Sequence, residues 1–155
     1  MASEIELRLQ KLGIDLPQPA APVANYVGAV VSGNLLVVSG QLPIGPQGLS
    51  IKGKLGAEIT EAQGKEAARL CAINILAQAR AALGDLTRIR RCVRLGGFVN
   101  AVPDYQAIPQ VINGASDLMV EVLGDAGRHA RYAIGVAQLP LDAPVEVEAL
   151  FEIAG

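Results

Sequence analysis

Two charged residues near the C-terminal end have the types and spacing to act together on a small molecule. Arg131 lies in the run Ala130-Arg131-Tyr132-Ala133-Ile134-Gly135-Val136-Ala137. If that run is a strand, alternate side chains share a face, and Arg131 stands beside Ala133, Gly135 and Ala137. A long side chain among small ones leaves open space, and a guanidinium can grip a carboxylate through two parallel hydrogen bonds. Glu146 begins a second alternating run, in which Glu146, Glu148, Leu150 and Glu152 share a face. Three carboxylates on one strand face are unusual for a surface buried in a core. Glu146 is the candidate for handling protons, making Arg131 and Glu146 a chemical pair. The same pattern also fits a solvated sheet face with Arg131 as a surface ion-pair partner, and on pattern alone that reading is favoured.

Other constellations are weaker. His129 is the only histidine, so a metal site built on two imidazoles is excluded. Its position between two arginines suggests a strand-entry residue. Ser39 precedes Gly40, but no general base is recognisable nearby, which leaves a serine-hydrolase triad unsupported. Gly40, Gly45, Gly48, Gly53 and Gly56 form neither GxGxxG nor a phosphate-binding loop. Arg88, Arg90, Arg91 and Arg94 suit a solvated strand face better than an RNA contact, because no aromatic platform accompanies them.

The elements that position these residues follow from caps and periodicity. Ser3 with Glu6 forms a capping box, Ile5, Leu9 and Leu12 share a helical face, and Gly13 closes that short helix. Pro17 to Pro22 is a connector. Tyr26–Val31 and Leu35–Ser39 form a hairpin through Ser32-Gly33-Asn34. Gly40–Ala57, rich in glycine, is a loop long enough to border a site. Thr60 and Gln63 cap a second helix that ends at Gly84. Arg88–Asn100 is a strand in which Gly96-Gly97 marks a bulge or a close backbone approach. Pro103 opens a third helical stretch, which Asn113-Gly114 interrupts and Gly124 ends. Two strands, His129–Leu139 and Val145–Ile153, complete the chain. The simplest packing is α+β: a single domain with two helices on one face of a mixed sheet.

The 155 residues suit one domain, and with 51% hydrophobic and 18% charged residues the chain is expected to fold. Only 3% of residues are aromatic. The surplus of Ala, Val, Leu and Ile points to a tight core together with a subunit interface, formed where the second sheet face meets copies of itself. No apolar run reaches membrane-spanning length. A net charge of −2 argues against broad electrostatic binding to nucleic acid or anionic membranes. Cys71 and Cys92 form no CxxC pair, and no signal peptide is recognisable, so the expected compartment is the cytoplasm.

The run Ala130 to Pro140 followed by Val145-Glu146-Val147-Glu148-Ala149 closely resembles the C-terminal signature of the RidA/YjgF family. Tyr26-Val27, Gly33-Asn34 and Ser39-Gly40-Gln41-Leu42-Pro43 resemble its N-terminal hairpin and following loop. The resemblance covers most of the chain beyond the first helix. It divides the chain into residues 1–22, a helix and connector, and a family-like domain over 23–155. It implies a chorismate-mutase-like fold, a homotrimer with clefts between subunits, and hydrolysis of 2-imino or 2-enamino acids to 2-keto acids and ammonia without metal or cofactor. By position, Arg131 matches the arginine that holds the substrate carboxylate and Glu146 the glutamate that positions water. Tyr26, Ser39, Gly40 and Asn113 match pocket residues. Ala133 stands where the family commonly has Cys, and His129 where it often has Pro. Members have also been described as ribonucleases or as binders of small metabolites.

Overall fold

The computed structural model describes residues 1–19, 22 and 24–155. The expected connector Pro17–Pro22 therefore falls partly outside the described residues, at Ala20 and Ala21, as does Val23 at the start of the 23–155 unit.

Helix α1 (Glu4–Lys11) begins at the expected capping box: Ser3 Oγ accepts from the Glu6 amide, and the Glu6 carboxylate accepts from the Ser3 amide. Its stop is Gly13 at φ +70°, a left-handed conformation that glycine adopts without strain. Strands β1 (Ala29–Ser32) and β2 (Leu35–Gln41) form the hairpin, turned by Gly33 and Asn34. The loop that follows contains a two-residue hairpin, β3 (Ile44–Gly45) with β4 (Gly48–Leu49). Helix α2 (Glu61–Leu83) starts at the Thr60–Gln63 capping box. Then come β5 (Ile89–Asn100), α3 (Ile108–Leu123), β6 (Ala130–Val136) and β7 (Val145–Ile153). The sheet order is β1-β2-β7-β5-β6, with β5 and β6 parallel and the remaining neighbours antiparallel.

Alternation on β7 shows how the sheet is used. Val145, Val147, Ala149, Phe151 and Ile153 are buried in the core, while the side chains between them face away from it. Helices α2 and α3 cover that inner face, and α1 packs on α3 through Leu9 as a third helix. The outer face is uncovered in the single chain, and Val30 on β1, Val37 on β2 and Ile134 on β6 stand exposed on it. Buried Asn100, at the end of β5, donates to Asp142 Oδ1 at 3.0 Å and to the Ala143 carbonyl at 3.1 Å. It thereby holds the turn that feeds β7. Among the described residues, no helix is long and apolar enough to cross a membrane.

Four local expectations are corrected. The third helix begins at Ile108 rather than Pro103, with Pro109 in its first turn, where the missing N–H costs nothing. Asn113-Gly114 does not interrupt it. Gly114 is where α3 crosses α2, and a Cβ there would strike the Lys65 carbonyl. Gly96-Gly97 is not a bulge, because the register with β7 runs evenly from Arg94 to Val99 and slips nearer the start of β5. The close-approach alternative holds: a Cβ on Gly97 would meet Ile112, and one on Gly96 the Tyr132 ring. Strand β6 also ends earlier than expected, at Val136.

Gly114→Ala sets two effects against each other. Helix propensity favours Ala by about 1 kcal/mol, whereas overpacking against a rigid carbonyl costs about 1–3 kcal/mol or more. Net destabilisation is expected in denaturant unfolding. A stabilised variant would mean that α2 and α3 do not cross at this glycine.

Candidate functional site

Arg131 is aligned with Leu95 across β5–β6, and Leu95 with Ala149 across β5–β7. Leu95 and Ala149 are both buried, so Arg131 points to the helix-covered side at the outer edge of the sheet. There its Nη1 donates to Asn113 Oδ1 at 2.8 Å and to Ser116 Oγ at 3.2 Å. Asn113 and Ser116 are three residues apart on α3 and therefore share a helical face. Ser116 Oγ also lies 2.9 Å from His129 Nε2, while His129 Nδ1 lies 2.6 Å from the Gly127 carbonyl. A carbonyl only accepts, so Nδ1 carries the proton and Nε2 accepts from the Ser116 hydroxyl. Burial holds the His129 pKa below its ordinary value; the Gly127 contact opposes this and the Arg131 charge adds to it.

The surface-ion-pair reading required a carboxylate beside Arg131. Among the described residues Arg131 forms no ion pair, and its Nε and Nη2 make no hydrogen bond. Glu148, on the opposite sheet face, accepts from the Tyr132 hydroxyl at 2.5 Å and pairs with Arg94 at 3.8 Å. Arg94 also lies over the Tyr132 ring, 5.8 Å from its centroid. Phe98 meets Tyr132 edge to face at 5.8 Å.

Glu146 is aligned with Phe98, on the open face. The sheet therefore separates the two residues expected to act as a pair. Arg131 is on the helix side of edge strand β6, and Glu146 is two strands away on the other side. Within one chain they do not converge, because both register and side-chain alternation place them on opposite faces.

A break in the register of β2 between Val38 and Gln41 leaves Ser39 and Gly40 beside Glu146. A Cβ at Gly40 would overlap the Glu146 carboxylate, so a larger residue there would push that side chain from its place. Ser39 Oγ donates to the Val27 carbonyl at 2.8 Å, tying down the segment that carries the exposed Tyr26. Burial first, and then the charge of Glu148, raises the Glu146 pKa.

The expected residues thus form two half-sites. Arg131, Asn113 and Ala133 make one, and Glu146 with Gly40 and Ser39 the other, with Tyr26 exposed nearby in the chain. A cavity of about 430 Å³ lies at the far end of the Arg131 strand, lined in part by Gly135, Ala137, Tyr105 and Ile108. A larger one of about 550 Å³, between the Pro43–Ile51 segment and α2, includes none of the candidate residues. Cys71 and Cys92 are buried, with thiol pKa values raised by burial, that of Cys92 to about 12, so neither is an available nucleophile. Among the described residues, no cluster of three His, Cys, Asp or Glu could hold a metal.

Ser116 was missed by sequence reasoning, and His129 was taken only for a strand-entry residue. The available signal was the Asn113-x-x-Ser116 spacing, which becomes visible once the helix is known to run through Gly114.

Fold and site together define a small α+β domain with an arginine at a sheet edge that no carboxylate pairs among the described residues. A family model described as "YjgF/chorismate_mutase-like, putative endoribonuclease" matches residues 6–153, and the chain belongs to that family. It is 51% identical to Protein TCP17 of Trypanosoma cruzi over 153 residues, 98% of this chain and 96% of that protein. A crystal structure from Agrobacterium tumefaciens is also 51% identical, with a TM-score of 0.92, covering 97% of this chain and 93% of that one. A Shewanella oneidensis structure described as a "putative endoribonuclease" is 37% identical, with a TM-score of 0.93 and coverage of 96% and 99%.

The raised Glu146 pKa carries a stability prediction. A carboxylate whose folded pKa lies above its unfolded one opposes folding once ionised, so its cost is present at neutral pH and vanishes at acid pH. Glu146→Gln is expected to raise the melting temperature at pH 7, on the order of 2–4 °C per kcal/mol of relief. The gain should shrink as pH falls through the Glu146 titration. A lower melting temperature at pH 7 would contradict this account of the carboxylate.

Proposed function

We propose that the protein is a hydrolytic deaminase of small 2-imino or 2-enamino acids, working as a homotrimer. The observation that carries this reading is the Arg131 guanidinium, which is partly buried, fixed through Nη1 by neutral acceptors, and without a protein carboxylate on its Nε–Nη2 edge. That edge has the spacing of a carboxylate. With the carboxylate held there, the neighbouring C=N carbon is fixed for attack by water, and positioning alone removes much of the barrier. Glu146 takes a proton from the attacking water and returns it to nitrogen. In the carbinolamine so formed, Glu146 takes the hydroxyl proton and passes it to the amine as the C–N bond breaks, leaving a 2-keto acid and ammonia. Its raised pKa brings it closer to neutral, where one group can both accept and donate a proton.

Because the two residues lie on opposite faces of one sheet, they can serve one substrate only if Glu146 comes from a neighbouring copy. The exposed apolar side chains on the outer face favour such an association. An RNA-cleaving role is less supported. Two of the three β5 arginines are engaged locally: Arg91 with the Arg128 carbonyl, and Arg94 with Glu148 and Tyr132.

The test couples the protein to a dehydratase that releases 2-aminoacrylate and follows trapping by semicarbazide. Wild type should speed conversion to pyruvate and lower the trapped yield. Arg131→Ala should lose about a hundredfold or more in kcat/KM, since both charge and fork are removed. Wild-type activity no greater than that of Arg131→Ala would overturn the proposal. Since Glu146 must be ionised to accept a proton from water, activity should fall as pH drops through its raised pKa. Arg131-dependent turnover without that acid limb would remove Glu146 from the mechanism.

A further inference from the structure

Ser116 and His129 are not needed to contact a substrate carboxylate, yet they surround the inner end of Arg131. A guanidinium has five N–H donors, two of them on Nη1. Asn113 Oδ1 and Ser116 Oγ take both, which fixes the plane of the group and leaves Nε and Nη2 as the free fork. Ser116 can accept from Arg131 only if its own hydrogen points elsewhere, and His129 Nε2 receives it. The imidazole is oriented in turn by the Gly127 carbonyl. Gly127 itself sits so close to the Met119 backbone carbonyl of α3 that a side chain there would collide with it. From a packed turn to the guanidinium, each donor and acceptor role is thereby set.

We propose that Ser116 and His129 are positioning residues that hold Arg131 with its Nε–Nη2 edge toward the substrate carboxylate, so that anion occupancy of Arg131 and protonation of His129 are coupled. This rests on the reading of Arg131 as the carboxylate clamp. The sign of the coupling follows from charge. The Arg131 cation disfavours the imidazolium. A carboxylate on Arg131 offsets that charge and makes His129 easier to protonate. Once protonated, Nε2 donates to Ser116 Oγ, whose second lone pair still accepts from Arg131, so the clamp keeps its orientation; by reciprocity, carboxylate affinity increases as pH falls through the His129 titration. Other charged groups on the elements around His129 are Arg128 and Asp125 in the preceding turn, paired at 3.6 Å; Arg90, Arg91 and Arg94 on β5; Asp117 and Glu121 on α3, the latter paired with Arg69; and Arg8 on α1, paired with Glu4. None is a partner of the proposed clamp.

His129 is the only histidine, so its ring proton gives a single NMR reporter. The probe is pyruvate, titrated into the full-length protein. Saturating pyruvate is expected to raise the His129 pKa by about half a unit or more. Ser116→Ala should bind pyruvate about tenfold more weakly and reduce that shift, and Ser116→Thr should restore both. Arg131→Ala should lose pyruvate binding. If Arg131→Ala binds pyruvate like wild type, the clamp itself is wrong. If Arg131→Ala loses binding, but Ser116→Ala binds normally and His129 titrates identically with and without pyruvate, the clamp stands and the positioning relay is overturned.

Discussion

A guanidinium taken partly out of water needs partners for its donors, and Arg131 finds them within the chain on Nη1 alone, which organises the rest of the site. A carboxylate would have been the strongest partner and would have closed the group to ligands. The chain instead supplies neutral acceptors, Asn113 and Ser116, on one nitrogen only. The cation is held in place without being neutralised. This arrangement requires α3 to pass close to β6, and α3 in turn sits close to α2 because Gly114 has no side chain to hold them apart.

The second constraint is the sheet itself. Register and alternation give the helix side to Arg131 and the open side to Glu146, so a single chain carries two incomplete half-sites. On the open side, Glu148 is committed to Tyr132 and Arg94, whereas Glu146 has no bonded partner among the described residues. Its raised pKa follows from partial burial and from the charge of Glu148. The bareness of Gly40 lets it lie there. Activity built from two such halves ties chemistry to association, and the exposed valines and Ile134 of the outer face offer the apolar surface for it.

Much of this was legible in the sequence. The caps at Ser3 and Thr60, the Gly33-Asn34 turn, the alternation on β7 and the small-residue face around Arg131 are local patterns, and local patterns survive folding. The failures were of another kind. Gly114 looked like a helix breaker because propensity is local, whereas its role is set by an α2 backbone far away in sequence. The same limit left Gly96-Gly97 open between a bulge and a close backbone approach, and the distant Ile112 and Tyr132 decide for the second. Arg131 and Glu146 looked like a pair because alternation reports which residues share a strand face. It does not report which face of the shared sheet each strand presents, since that depends on register between strands. His129 and Ser116 were passed over because their meaning depends on a contact between a turn and a helix.

The central claim is that Arg131 of one copy and Glu146 of another complete one site. The most direct measurement mixes Arg131→Ala and Glu146→Gln subunits, each inactive alone, under conditions that allow subunit exchange. The account predicts that deaminase activity returns, to about a quarter of the wild-type level per site for random mixing, because some clefts then receive both native residues. A mixture that has exchanged subunits and remains as inactive as either parent would contradict it.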